Sequence, residues 1–280
     1  MRRAKIYSIT IKKYNLVHMT FGLCGACLPL SPVLADSGED LAKKLANPVA
    51  SLISVPIDID FDSDLGPAKN GDRMTIVAKP VVPFSLNDDW NLITRTIIPY
   101  VDLNDFPPPV GDKSGLGDMQ ANFFLSPKTP TASGWIWGAG AIALLPTATS
   151  DALGSEKWGL GPTAVALKQD GKWTYGMLAN HVWSFAGDDN RADYNRTFLQ
   201  PFLTYTTPKA TSFTLQTEST YDWEGKTWSV PVNFIVGQVI KVGSQLMQLK
   251  AGLRYWADSP TGTGPEQWGF KVGVVFLYPK

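Results

Sequence analysis

Side chains able to do nucleophilic or metal chemistry are scarce in this chain of 280 residues, which holds two histidines and two cysteines. His18, Cys24 and Cys27 fall in an N-terminal stretch read below as a leader. That leaves His181, in Leu178-Ala-Asn-His-Val-Trp-Ser184. A Ser–His–Asn hydrolase needs the hydroxyl within about 3 Å of the imidazole and a third group to orient the ring. On a strand, residues 181 and 184 face opposite sides, so Asn180, His181 and Ser184 do not assemble. No catalytic residue is expected. One histidine and no cysteine leave only scattered carboxylates for a metal. The acidic stretches 62–72 and 188–193 lack EF-hand spacing. No metal and no cofactor is expected, and no basic stripe suggests nucleic acid.

What the chain does have is charge at period two. Val55, Ile57, Ile59 and Phe61 alternate with Asp58, Asp60 and Asp62. Phe213, Leu215 and Tyr221 oppose Gln216, Glu218 and Asp222. Met247, Leu249, Ala251, Leu253 and Tyr255 oppose Gln248, Lys250, Gly252 and Arg254. The final stretch sets Trp268, Phe270, Val272, Val274, Phe276 and Tyr278 along one side. Such alternation needs strands with two different surroundings.

Stepping along the chain gives about twelve strands, near 54–62, 72–84, 89–101, 116–126, 134–146, 158–168, 172–184, 196–207, 211–223, 228–241, 246–257 and 268–279. Short and long connections alternate, as in an outer-membrane barrel with tight turns at one end and loops at the other. The expected fold is all-β: an antiparallel up-and-down transmembrane β-barrel with a short N-terminal helix. In it the apolar faces meet lipid, because a charge at mid-bilayer costs about 2–4 kcal/mol. The polar faces then line the interior. The lumen candidates are Asp58, Asp60, Arg73, Lys79, Arg95, Asp118, Gln120, Gln216, Glu218, Asp222, Lys250, Arg254 and Lys271. They form either a salt-bridge network that fills the barrel or a polar path or ligand site. Strands 134–146 and 158–168 are apolar on both faces and rich in Gly and Ala, so part of the lumen wall is expected to be non-polar. Pro80, Pro83, Pro99, Pro162, Pro201 and Pro231 fall within strands and should mark bulges or kinks.

The ten tryptophans all fall near strand ends. Trp90, Trp135, Trp137 and Trp173 lie beside short turns. Trp158, Trp183, Trp223, Trp228, Trp256 and Trp268 lie beside the longer connections. Indole favours the boundary of hydrocarbon and water, so two membrane-interface girdles are expected.

Arg2, Arg3, Lys5, Lys12 and Lys13 precede an apolar run ending in Val33-Leu34-Ala35, which fits a cleavable signal peptide over 1–35. Lipoprotein processing at Cys27 is the alternative. Without the five leader cations, 20 basic residues remain against 25 acidic. Residues 36–53 read as an amphipathic helix through Leu41, Leu45, Val49 and Leu52, with Pro48 interrupting it. The helix either packs on the domain of 54–280 or plugs its lumen.

The stretches Leu41–Pro56, Val81–Pro99, Phe123–Gly187 and Leu199–Asn233 resemble a group of proteobacterial outer-membrane proteins described as transporters. That group is similar to the meta-pathway phenol-degradation outer-membrane protein family. The resemblance implies an outer-membrane, porin-like barrel in a Gram-negative cell, taking up a small hydrophobic or aromatic solute, and supplies no catalytic motif. Its expected partners are outer-membrane lipid, the solute and the barrel-assembly machinery, with a monomer as the default. Barrels of this kind often end on an aromatic residue; here Phe276 and Tyr278 stand near the end, before Pro279 and Lys280. A non-conducting structural or ligand-sensing barrel, and a lipid-modifying outer-membrane enzyme, are the alternatives.

Overall fold

The structure, a computed structural model, describes residues 35–106 and 110–278. The expected leader, apart from Ala35, and residues Pro279 and Lys280 lie outside the described residues. Helix α1 (Ala35–Leu45) is followed by turns and then by β1 (Ile53–Leu65), β2 (Gly71–Ala78), β3 (Val81–Ser85), β4 (Trp90–Asn104), β5 (Lys113–Leu116) and β6 (Met119–Pro127). There follow β7 (Trp135–Leu145), β8 (Lys157–Asp170), β9 (Trp173–Gly187), β10 (Asn195–Thr206), β11 (Thr211–Thr217), β12 (Ser219–Asp222), β13 (Thr227–Val242), β14 (Gln245–Asp258) and β15 (Gln267–Tyr278).

All pairings are antiparallel, and β1 closes the ring on β15, from Ile53↔Tyr278 to Phe61↔Phe270. The pairs β2/β3, β5/β6 and β11/β12 each act as one broken stave, so the result is a closed antiparallel barrel of 12 strands. Closure leaves no edge and no row of unpaired backbone groups. The breaks have local causes. Pro80, which cannot donate to a ladder, separates β2 from β3, and the β13–β14 register shifts at Val230/Pro231. Tight turns such as 171–172 and 243–244 are made with Gly171 (φ 55°) and Gly243 (φ 61°) in the left-handed region.

The period-two pattern sorts inside from outside. Phe123 and Phe124 are adjacent on β6, yet their relative exposures are 42% and 0%. Outward residues such as Leu160, Met177, Leu215, Phe234, Leu249 and Leu253 are exposed, whereas inward Ile93, Ile142, Leu167 and Leu178 are buried. An apolar band around a whole barrel is far more continuous than the scattered apolar surface of a water-soluble monomer.

Aromatic pairs gather at both rims. Trp90–Trp137, Trp135–Tyr175 and Trp173–Tyr205 lie at the short-turn end. Tyr221–Trp223, Tyr221–Trp228 and Tyr255–Trp268 lie at the other. Trp158 and Trp183 are exposed there too. Trp256 departs from the expected girdle. It stands two residues from the buried Arg254, on the same face, and its indole N–H donates to Asp62 Oδ1 at 2.8 Å inside the barrel. Position near a strand end placed it at the rim; the phase of the strand places it in the lumen.

Residues 36–53 form a shorter helix than expected. It ends at Leu45, and Asn47 and Pro48 turn the chain, with Asn47 Oδ1 accepting from Val49 N at 2.9 Å. Leu41, Ala42, Ala50 and Leu52 pack on Ala210, Val239, Val275 and Leu277. Val49 packs on Ile93, Phe124, Val165, Leu167, Leu178 and Phe202. These partners share the inner face, so the segment sits within the short-turn mouth and not on the outside wall.

Placing arginine at the middle of the outer band should cost about 2–4 kcal/mol in a bilayer. Phe234→Arg is therefore expected to lower unfolding free energy in lipid vesicles by that amount, measured by urea titration.

Candidate functional site: the lumen

The charged wall is built from β1, whose alternation sends Asp58, Asp60 and Asp62 inward. Their partners come from β14 and β15 on one side and β2 on the other. Arg254 reaches Asp60 at 2.8 Å and Asp62 at 3.3 Å. Lys271 reaches Asp60 at 2.9 Å, Lys250 reaches Asp58 at 2.6 Å, and Arg73 reaches Asp62 at 2.8 Å. Glu218 stands at the break between β11 and β12, which frees it to lean across the lumen. It meets Lys271 at 3.4 Å, Arg254 at 3.5 Å and Lys79 at 3.6 Å. Lys79, at the β2/β3 break, also reaches Asp58 at 3.3 Å. Asn233 Oδ1 accepts from Arg254 Nε at 2.9 Å. The side chains of Arg254, Lys271 and Asp62 are 6%, 1% and 1% exposed, so each charge depends on its partners and not on bulk water.

Arg95, on β4, also lines the lumen, beside Gln200 and Gln216. Gln200 Nε2 donates to Gln216 Oε1 at 3.3 Å. Gln120 shares the inward register of Asn122 and Phe124 on β6 but joins none of these charged pairs. Two expected lumen residues do other work. Asp118 lies at the β5/β6 break and accepts from Ala148 N, Ser155 N and Ser155 Oγ at 3.2, 2.6 and 2.6 Å. It pins the loop 146–156, and its carboxylate is spent on that loop because the stave is interrupted beside it. Asp222 sits at the rim, paired with Arg196 at 2.8 Å and accepting from Glu224 N and Gly225 N of the next turn.

Opposite the charged wall the lumen is mainly apolar, with Asn122, Ser126, Thr163 and Thr174 buried among the apolar side chains. Ile93, Phe124, Val165, Leu167, Leu178 and Phe202 form one buried cluster with Val49, and Ile142, Leu144 and Val182 form another. The apolar residues come from β4 and β6–β10, including the Gly/Ala-rich β7 and β8. The ion-pair belt lies between two spaces. An outer vestibule of about 540 Å³ is lined by Asp60, Asp62, Arg73, Arg254 and Trp256, with Leu153 of the inward-folded loop. An inner cavity of about 200 Å³ lies between the belt and residues 42–52.

His181 faces away from this lumen. Its Nδ1 is 2.7 Å from Thr197 Oγ1, its ring lies 4.2 Å from that of Trp183, and its Nε2 has no hydrogen-bond partner. Thr197 Oγ1 also accepts from Trp223 Nε1 at 2.8 Å. Ser184 instead donates to Asp193 at 3.1 Å. The ring therefore lacks the third group that would orient it as a base.

Among solved structures, the chain is similar to an outer membrane channel from Pseudomonas putida F1. The identity is 16%, with 81% of this chain and 96% of that chain covered, at a TM-score of 0.64. The NanC porin matches at 12% identity, 80% and 98% coverage and a TM-score of 0.49. A Salmonella typhi outer membrane phospholipase matches at 11%, 88% and 98%, and 0.46. The first likeness shows the barrel fold. No protein-family model and no curated protein matches the chain.

Several site residues escaped the sequence reading. Asp62 and Gln248 were visible in the alternation yet stood outside the candidate set. Asn233, a polar residue facing inward amid the valines of β13, gave the same signal. The lumen roles of Phe124, Leu178 and Phe202 had none, because an apolar side chain looks alike on either face.

Removing Arg254 takes one cation each from Asp60, Asp62 and Glu218, which keep Lys271, Arg73 and Lys79. The cost should therefore stay at or below the roughly 3–5 kcal/mol of a fully broken buried pair. Arg254→Met should lower stability by up to that amount in detergent-denaturant titrations, whereas Lys69→Met, at an exposed pair with Glu266 on the rim, should cost less than about 1 kcal/mol.

Proposed function

We propose that the chain is an outer-membrane β-barrel for passive uptake or binding of a small hydrophobic or aromatic solute. The observation that carries this reading is the two-sided lumen. A closed barrel with a lipid-compatible exterior encloses a charged wall facing an apolar one. A purely structural interior has no need to keep the two apart. An apolar solute in the inner cavity can lie against Val81, Phe202, Ile235 and Val275 while water and polar groups stay on the belt. The fold likeness to an outer membrane channel supports the same reading. Export through a cleavable leader over 1–35, a monomeric state, and recognition of Phe276 and Tyr278 by barrel-assembly machinery belong to this proposal.

The second reading is a non-conducting, ligand-sensing barrel. It is favoured by the belt across the lumen and by residues 46–52 within the short-turn mouth. A lipid-modifying enzyme finds less support, since His181 meets Thr197 and no orienting group.

Proteoliposome assays separate the first two. Uptake of benzyl alcohol by vesicles holding refolded protein should exceed that of a sugar of similar mass. Absence of both solute flux and single-channel conductance would leave the sensing barrel. Deleting residues 36–49 should raise conductance, because Val49 and its turn leave the mouth; an unchanged conductance would mean that the segment is no restriction.

A further inference from the structure

The inner cavity has an uneven charge balance. Lys44, Lys79, Arg95, Lys250 and Lys271 line it, against Asp58 and Glu218. Lys79, Lys250 and Lys271 are each engaged by carboxylates of the belt, at 2.6 to 3.6 Å. Arg95 is not. Among the described residues its guanidinium has no hydrogen bond and no ion pair, although Asp58 and Glu218 line the same cavity. A guanidinium carries five donors in a planar fork that matches a carboxylate. The fork opens on the cavity with Asp58 and Glu218 near enough to act on it through space, but no acceptor among the described residues lies within hydrogen-bond reach.

The surroundings give the ligand a shape. β4 lies between the charged staves β1 and β2 and the apolar staves that begin with β6. Arg95 therefore sits at the seam of the two walls, two residues from the fully buried Ile93. Val81, Phe202, Ile235 and Val275 line the same cavity and offer an apolar bed, while Gln200 and Gln216 offer amide donors beside it. At about 200 Å³ the space is smaller than the roughly 300–1,000 Å³ of sites for drug-sized molecules. That limits the body of the ligand to one ring or a short branched chain.

We propose that this cavity binds a small apolar monocarboxylate, with Arg95 gripping the carboxylate and Phe202, Val81 and Ile235 holding the ring or chain. The inference rests on the uptake-or-binding reading and narrows its solute from hydrophobic compounds in general to acids with an apolar body. A neutral aromatic would use only half of the site. A bare small anion would use only the other half.

The test uses the refolded full chain in detergent at fixed ionic strength. Calorimetric titration compares benzoate with benzyl alcohol, its neutral counterpart, and with acetate, which lacks the ring. Benzoate should bind tightest, and Arg95→Gln should weaken it about tenfold or more, the scale of a lost hydrogen bond to a charged group. Benzyl alcohol, whose hydroxyl carries no charge, should lose far less affinity than benzoate in the same variant, and its retained binding shows that the variant is folded. Arg95→Lys should fall between, since it keeps the charge and loses the fork. Should Arg95→Gln fail to refold, the ranking of the three ligands on the unaltered chain decides alone. Equal benzoate affinity with and without Arg95, or acetate binding as tightly as benzoate, would overturn the proposal. If benzyl alcohol still enters proteoliposomes in that case, the uptake reading stands and only the carboxylate site falls. If neither ring compound binds or crosses, both fall.

Discussion

Closure of the hydrogen-bonded ladder is the constraint from which the rest follows. Once β1 pairs with β15, every stave has two neighbours and the backbone is satisfied without water. The side chains are then left with two surroundings, one outside and one inside. Period-two alternation becomes compulsory, and each residue's phase fixes its solvent. The outer phase is continuous and apolar because a single charge there is costly. The inner phase can carry charge, provided that the charges find one another in a narrow space. Asp58, Asp60, Asp62, Glu218, Lys79, Lys250, Arg254 and Lys271 do so, and they tie β1, β2, β14 and β15 to the β11/β12 break across the lumen.

The same constraint explains how the interior comes to have two walls. Most strands that carry charge inward are contiguous around the ring, from β11 through β15 to β1, β2 and β4, with Lys157 on β8 a separate case paired to Asp193. The Gly- and Ala-rich β7 and β8 form the opposite arc with their neighbours. Small residues there let strands approach closely: a side chain at Gly161 would strike the carbonyl of His181 on β9. Residues 46–52 bridge the two walls at the short-turn end. Val49 rests on the apolar arc, while Ala50 and Leu52 rest beside Val275 and Leu277. The segment is thus part of the lumen's shape.

Much of this was legible in the sequence where phase alone decides. Asp58, Asp60, Lys250, Arg254 and Lys271 could be read as inward from their alternation with valine, isoleucine, leucine and phenylalanine. Phase also held for Trp256, where strand-end position pointed the other way, because an indole donor can serve a buried carboxylate as well as a lipid headgroup. Asp118 was illegible for a different reason. A stave that breaks at Gly117 resets its own alternation, and no local pattern announces that Ser155, on a distant loop, will claim the carboxylate. The pairing of Glu218 with Lys271 and Lys79 crosses several strands and depends on barrel diameter, which spacing along the chain does not encode.

The measurement that bears most directly on the account is tryptophan quenching by lipids with brominated acyl chains, read on single-tryptophan variants in vesicles. Trp173, Trp268 and Trp256 separate the surroundings. The account predicts strong quenching at Trp173 and Trp268, one at each rim, and none at Trp256, which lies on the inner face beside Asp62. Quenching of Trp256 as strong as that of Trp268, or no quenching of any because the chain stays dissolved without lipid, would contradict the assignment of inside and outside on which the lumen and its proposed solute depend.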